Sequence, residues 1–88
     1  MDVVKRKGRT EKFDERKVYA SCYSACMTCG MKERECEMVA TKISAEIKKW
    51  VRKEKRVTSL QIFRKVASVL KKVHKPAAFM YETHRDIS

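Results

Sequence analysis

Residues 3–18 read VVKRKGRTEKFDERKV, the most informative stretch of the chain. The β-branched pair that opens it favours a strand, and the Lys-Gly step at positions 7 and 8 is a turn signal that allows residues 10–13 to return as a second strand. Asp14 is a good N-cap for a helix that begins at the next residue. The stretch therefore predicts a β-hairpin over residues 3–13, followed at once by a helix.

Three cations of this stretch flank the predicted start of the helix. Lys5 and Arg6 fall on the first strand, and Lys17 falls in the first helical turn. A helix N-terminus offers unpaired N–H groups and a partial positive charge, Arg grips phosphate oxygens with two donors, and Lys acts as a point charge. The three cations predict a polyphosphate site, with Val3, Val18 and the third helix as an apolar wall for a purine ring. The same spacing also fits solvated charges on a basic protein.

The first helix is predicted over residues 15–29, because small and apolar residues recur there at steps of three and four. Its stripe consists of Val18, Cys22, Ala25, Cys26 and Cys29. Gly30 follows at the position where a left-handed residue usually ends a helix.

The second helix is predicted over residues 32–51, with a polar loop over residues 52–56. Its apolar stripe consists of Cys36, Val39, Ala40, Ile43, Ile47, Trp50 and Val51. The opposite face carries Lys42, Glu46, Lys48 and Lys49.

Two more helices complete the predicted fold. Thr58 begins the third, with Gln61 placed to complete a capping box. The buried stripe of this helix consists of Ile62, Val66, Val69, Leu70 and Val73. Pro76 fits the first turn of a fourth helix, whose faces are marked by Ala77, Ala78, Tyr81 and His84 or Arg85. We therefore predict an α+β, mostly α fold in which an N-terminal β-hairpin packs on a four-helix bundle.

The composition is strongly basic. The 88 residues include 22 Lys and Arg against 11 Asp and Glu, a formal net charge of +11. Nucleotides, nucleic acid and acidic proteins are the candidate partners for the surplus positive charge.

The length of the chain predicts a single domain with room for a shallow ligand site and little for a deep catalytic cleft. No apolar run approaches the ~20 residues that span a bilayer, and the N-terminus lacks a signal-peptide pattern, so we expect a cytoplasmic protein without a membrane partner.

The four cysteines allow two interpretations. Cys22, Cys26, Cys29 and Cys36 coincide with the apolar stripes, and a free Cys packs as a small hydrophobe. Three thiols on one helical face with a fourth nearby also suit a soft metal or a redox role, although their spacing is not the paired C-x-x-C of a zinc ribbon. We favour core packing and predict no metal in the protein.

Catalytic motifs are not apparent in the sequence. His74 and His84 have no Cys or carboxylate at triad-like sequence spacing, which favours surface or capping roles. The chain contains neither the G-x-x-x-x-G-K-[ST] loop of ATP hydrolysis nor an Asp pair for magnesium. We expect binding without turnover.

The chain resembles the ATP-cone family over residues 3–86. Val-Val-Lys-Arg-Lys-Gly at residues 3–8, then Phe-Asp and Lys-Val, is similar to the opening signature of that family. Later matches are Cys29-Gly30-Met31, Val57-Thr58-Ser59 with Ile62, and Ala78, Tyr81 and Arg85. ATP-cones bind ATP or dATP as allosteric sensors. They occur at the N-terminus of ribonucleotide reductase large subunits and of anaerobic reductases, and after a zinc ribbon in a transcription regulator that represses reductases.

The resemblance implies nucleotide-binding roles for nine positions. Lys5, Arg6 and Lys17 would hold the phosphates, and Val3 and Val18 would border the base. Glu11 and Asp14 would contact the ribose or the base edges. Ser59 and Ile62 would close the pocket.

The sequence departs from the family pattern in three places. Lys7 stands where many members have Asp, which makes the phosphate end more positive. Phe63 stands where some members carry a polar His, which alters the geometry available to a second ligand. Neither a zinc ribbon before the matched region nor a reductase barrel after it is apparent, so we expect that what the module regulates is missing from this sequence. We expect one ATP-cone-like domain over residues 3–86, with flexible termini at residues 1–2 and 87–88.

These observations predict a stand-alone regulatory domain that binds ATP or dATP and has no catalytic activity. It would act on a regulated protein partner or through a homo-oligomer. Two alternatives stay open. The first is a basic nucleic-acid-binding or transcription-regulatory module, which the net charge supports. The second is a protein-interaction module whose nucleotide site has decayed.

Overall fold

The computed structural model describes residues 2–4 and 9–83. In chain order the elements are β1 (Asp2–Val4), β2 (Thr10–Lys12), α1 (Glu15–Thr28), α2 (Glu33–Lys53), β3 (Val57–Thr58), α3 (Ser59–Val73) and α4 (Lys75–Thr83). The predicted fold class, α+β and mostly α, is confirmed. The predicted turn at Lys7-Gly8 lies outside the described residues.

A three-stranded sheet stands where we predicted a hairpin alone. β1 pairs antiparallel with β2, with Val3 opposite Glu11. On its other side β1 pairs in parallel with β3, with Val3 opposite Val57 and Val4 opposite Thr58. The third strand was missed because it has only two residues, of which the second, Thr58, is the N-cap of α3, and two residues show no periodicity.

Helix α1 has the ends that its sequence predicts. The Asp14 carboxylate accepts from the Arg16 backbone N–H at 2.9 Å and so caps the first turn. At the other end Gly30 has φ +81°, while its N–H donates to Met27 and the Met31 N–H donates to Cys26. These two bonds form a Schellman motif, which ends the helix at Thr28, one residue before the predicted end.

Helix α2 is longer than predicted and packs mainly on α1. It continues through Arg52 and Lys53, where the sequence predicts a loop, and cations in the last turn suit the helix dipole. Lys48 was predicted to lie on the face opposite the core. Its Nζ instead reaches Glu15 on α1 at 3.1 Å, because the two antiparallel helices bring the end of α2 beside the start of α1.

The core lies between the helices and beneath β1. It contains Val3, Val18, Cys22, Cys26, Cys36, Ala40, Ile43, Ile47, Val51, Val57, Val66, Val69, Leu70, Ala77 and Ala78. The predicted core residue Val73 is wrong: it is 40% exposed, since α3 ends there and the chain turns away at His74. Within residues 2–4 and 9–83, no helix is long and apolar enough to cross a membrane.

The α3–α4 corner is held by a cap and a ring stack. The His74 Nδ1 accepts from the Ala77 N–H at 3.2 Å, which confirms a capping role for this histidine. Pro76 lies in the first turn of α4, as predicted. The rings of Phe63 on α3 and Tyr81 on α4 stack 5.1 Å apart. The predicted face residues His84 and Arg85 lie outside the described residues.

Candidate functional site

The sheet brings three separate segments of the predicted site together. Val3 lies on the central strand, with Glu11 on one side and Val57 on the other. Neighbouring strands are about 4.8 Å apart, so these positions are adjacent although they are distant in sequence. Ser59 directly follows β3 and is the first residue of α3. The start of α3 therefore lies beside the described end of β1.

The four residues predicted to border the base or close the pocket divide into two groups by solvent exposure. Val3 is 5% exposed and Val18 is 7% exposed, so both belong mainly to the core. Ile62 and Ser59 are half-buried on the first turn of α3, and Ile62 packs against the core. Because they retain exposed surface, Ser59 and Ile62 are the better placed of the four to touch a ligand.

An ion pair connects α1 to β2. The Lys17 Nζ lies 3.2 Å from the Glu11 Oε1, and the two side chains are 65% and 38% exposed. Ion pairs this exposed contribute roughly 0–1 kcal/mol, because solvent screens them. The pair therefore brings two predicted site residues together, but it binds Lys17 to Glu11 only weakly.

Asp14 is engaged in capping α1. Its Oδ1 accepts from the Arg16 Nε at 3.2 Å in addition to the Arg16 backbone N–H. These hydrogen bonds to Arg16 lower the pKa of the Asp14 carboxyl, and Coulomb attraction by Arg16 and Lys17 adds to them. The Lys17 N–H donates to the Asp14 carbonyl. The helix N-terminus predicted to receive phosphate thus already carries a carboxylate.

Two of the three predicted phosphate ligands, Lys5 and Arg6, lie outside the described residues. The part of the predicted cationic site that the structure describes is therefore Lys17. β3 is the feature of this region that sequence reasoning missed, and its signal was the β-branched pair Val57-Thr58.

The cysteines pack between α1 and α2. Cys22, Cys26 and Cys36 have 0% exposure, and Cys29 is half-buried against the same core. Burial, with Coulomb repulsion from Cys26, raises the pKa of Cys22 to about 12. Burial, with repulsion chiefly from Cys36, raises the pKa of Cys26 to about 11. The core-packing prediction holds for these buried thiols, and in the described part of the chain no group of three or more His, Cys, Asp or Glu is arranged to hold a metal ion.

The chain matches a known domain family and is similar to a known transcriptional repressor. A family model described as "ATP cone domain" matches residues 1–86. The transcriptional repressor NrdR of Carboxydothermus hydrogenoformans is 34% identical over 90 residues. That alignment covers 98% of this chain and 57% of the repressor, so the chain spans a little over half the length of that relative.

Proposed function

Because the chain belongs to the ATP-cone domain family, we propose that it binds ATP or dATP and works as a nucleotide-sensing regulatory domain without catalytic activity. The domain would comprise residues 3–86. The nucleotide would bind where β1, β2 and the starts of α1 and α3 meet.

The observation that carries this proposal is the strand order β2-β1-β3. It sets Val3 between Glu11 and Val57, with Ser59 at the next element. Three segments assigned to nucleotide binding by family resemblance thus border one another. Such convergence of distant segments supports a shared ligand site.

The phosphate tail would be held by Lys17 with Lys5 and Arg6. Redirecting Lys17 from Glu11 to a phosphate costs little, because the Lys17–Glu11 pair is exposed and weak. Glu11 would then accept a hydrogen bond from a ribose hydroxyl or a base amino group. Asp14 would act by holding the start of α1 through its bonds to Arg16.

The base would lie against the first turn of α3. Ile62 supplies exposed apolar surface there, and Ser59 supplies a hydroxyl. Val3 and Val18 would support this wall from within the core, since little of either side chain reaches solvent.

The regulatory output would come from different affinities of the nucleotide for two conformations or oligomeric states. The regulated partner would be another protein or a second copy of this chain. The similarity to a transcriptional repressor supports an output in transcription.

The test is a titration of the full chain with ATP, dATP, GTP and inorganic triphosphate. We expect ATP or dATP to raise the melting temperature, with a stabilisation of about 2.7 kcal/mol at 100 times the dissociation constant. Amide signals of Glu11, Lys17 and Ser59 should shift.

Lys17→Gln should weaken nucleotide binding about tenfold, as loss of one charged phosphate contact predicts. Lys42→Gln makes the same charge change on an exposed face of α2 and should have no effect.

Two outcomes would contradict the proposal. One is the absence of any nucleotide-dependent change in melting temperature or amide signals. The other is an equal loss of affinity in Lys17→Gln and Lys42→Gln, which would indicate attraction to net charge alone.

A further inference from the structure

A second cationic surface lies in the groove between α3 and α4. The groove has a volume of about 610 Å³ and is lined by Phe63, Arg64, Ala67, Ser68, Lys71, Lys72, Lys75 and Glu82. It forms because the small residues Ala67 and Ser68 lie one helical turn from larger side chains on either side. We name the four cations Arg64, Lys71, Lys72 and Lys75 the α3–α4 cation row.

The cation row is available to an external anion. All four side chains belong to exposed residues. Among the residues that the structure describes, none of the four is within ion-pair distance of a carboxylate, in contrast to Lys17 and Lys48. Among the described residues of the lining, Glu82 is the single carboxylate, against four cations. Like charges concentrated on one face without partners favour a polyanion.

The donors of this groove come from side chains. After Lys75 the first N–H groups of α4 are already in use: Pro76 has none, Ala77 donates to the His74 ring, and Ala78 donates to the His74 carbonyl. An anion would therefore be held chiefly by the cation row and the exposed Ser68 hydroxyl.

The shape of the row favours a chain of phosphates over a compact nucleotide. From Arg64 to Lys72 is about 12 Å along a helix at ~1.5 Å per residue. One DNA strand places a phosphate about every 3.4 Å of axis, so a row of this length covers about three to four steps between phosphates. The described lining offers little to a base, because its one aromatic ring is Phe63 and one face of that ring is covered by Tyr81.

We infer that the α3–α4 groove binds the phosphodiester backbone of nucleic acid, without reading its sequence. The four cations neutralise successive phosphates, and Ser68 donates to a phosphate oxygen. Glu82 limits the affinity by repulsion. The lining contains none of the nine residues assigned to the proposed nucleotide site, so each assignment is tested by its own variants.

The test measures binding of the full chain to a labelled 24-base-pair duplex and to a single strand of equal length, across a series of salt concentrations. Lys71→Gln/Lys72→Gln/Lys75→Gln should weaken binding at least tenfold at about 0.1 M salt. It should also reduce the slope of log K against log salt by about 2 to 3, at ~0.9 per lost contact. The control Lys42→Gln/Lys49→Gln/Lys53→Gln removes three exposed cations of α2 and should weaken binding less than threefold.

A gain of affinity provides a test that does not depend on the folding of the triple variants. Glu82→Gln should tighten binding several-fold, and the control Glu46→Gln on α2 should not.

Preference for duplex or for single strand would define which backbone the groove fits, and both results support the inference. Equal losses in the two triple variants would overturn it, as would equal effects of Glu82→Gln and Glu46→Gln. Tighter binding of poly-glutamate than of either oligonucleotide would assign the groove to an acidic protein instead.

Discussion

Phe63 stacks on Tyr81 with ring centroids 5.1 Å apart and an interplanar angle of 19°. The contact joins α3 to α4 at a position where some ATP-cone members carry a polar His. An aromatic pair of this kind adds about 0.5–1.5 kcal/mol to the energy of burial. In this chain the position is therefore used to attach the last helix.

Phe63→Ala should destabilise the fold by about 1–3 kcal/mol. This is less than the loss for a fully buried Phe, since Phe63 is only half-buried. Phe79→Ala is the matched control on α4, where the ring is 65% exposed, and it should change stability by less than about 0.5 kcal/mol. Urea unfolding followed by circular dichroism measures both. Equal losses in the two variants would show that the stack does not hold α4.

Thr58→Ala should destabilise the fold by about 1 kcal/mol, because it removes one half of a capping box. The Thr58 hydroxyl accepts from the Gln61 N–H at 3.0 Å, and the Gln61 side chain accepts from the Thr58 N–H at 2.8 Å. Thr41→Ala, at an exposed position within α2, should be neutral or stabilising. Thermal unfolding compares the two, and a Thr58→Ala variant as stable as the parent would contradict the capping role.

Gly30→Ala should lower the free energy of unfolding by about 1 kcal/mol, solely because of the backbone conformation at this position. Gly30 has φ +81°, and a Cβ added there would meet no atom within 4 Å. The strain is therefore that of an L residue in the left-handed region. Gly30→Asn should cost less, since Asn adopts this conformation more readily. Chemical denaturation of the two variants tests the order, and an Ala variant more stable than the Asn variant would contradict it.

The buried thiols should make stability fall as pH rises above 9. Burial raises the pKa of Cys22 from 9.0 to about 12, so between these values the thiol ionises in the unfolded chain and stays neutral in the folded one. The folded state then binds more protons, and unfolding becomes easier by up to about 1.4 kcal/mol per pH unit for each such thiol. Below pH 9 the contribution is fully present.

Cys22→Ala should flatten this alkaline loss, measured by urea unfolding at pH 8, 9 and 10 under reducing conditions. Val18→Ala is the control, because it removes volume from the same buried face of α1 and keeps the thiol. It should lower stability at every pH and leave the slope unchanged. An identical slope in parent and Cys22→Ala would rule out the thiol as the cause.

The sequence predicted the helices well because their signals are local. Asp14 and the Thr58–Gln61 pair mark helix starts by hydrogen bonds that span two or three residues. Gly30 marks an end by its own backbone freedom. The Cys, Val and Ile positions at steps of three and four identified the buried faces of α1 and α2. None of these features requires knowledge of a distant segment.

The errors arose where a residue's environment depends on another element. Val73 continues the apolar period of α3 and yet is exposed, because the corner at His74 ends the packing surface. Lys48 belongs to the polar face of α2 by period, but its partner Glu15 is on α1. Periodicity describes one helix at a time and cannot report which neighbour covers it.

Local chemistry in the sequence was thus sufficient for the helical architecture, the caps and the assignment of the cysteines to the core. The parallel pairing of Val3 with Val57 was decided by the tertiary structure, since the two residues are 54 positions apart and β3 has only two residues. The same holds for the α3–α4 groove, whose cations face one space only because two helices meet at a corner. Long-range contacts of this kind gain their free energy from packing of the whole fold, and no short stretch of sequence carries it.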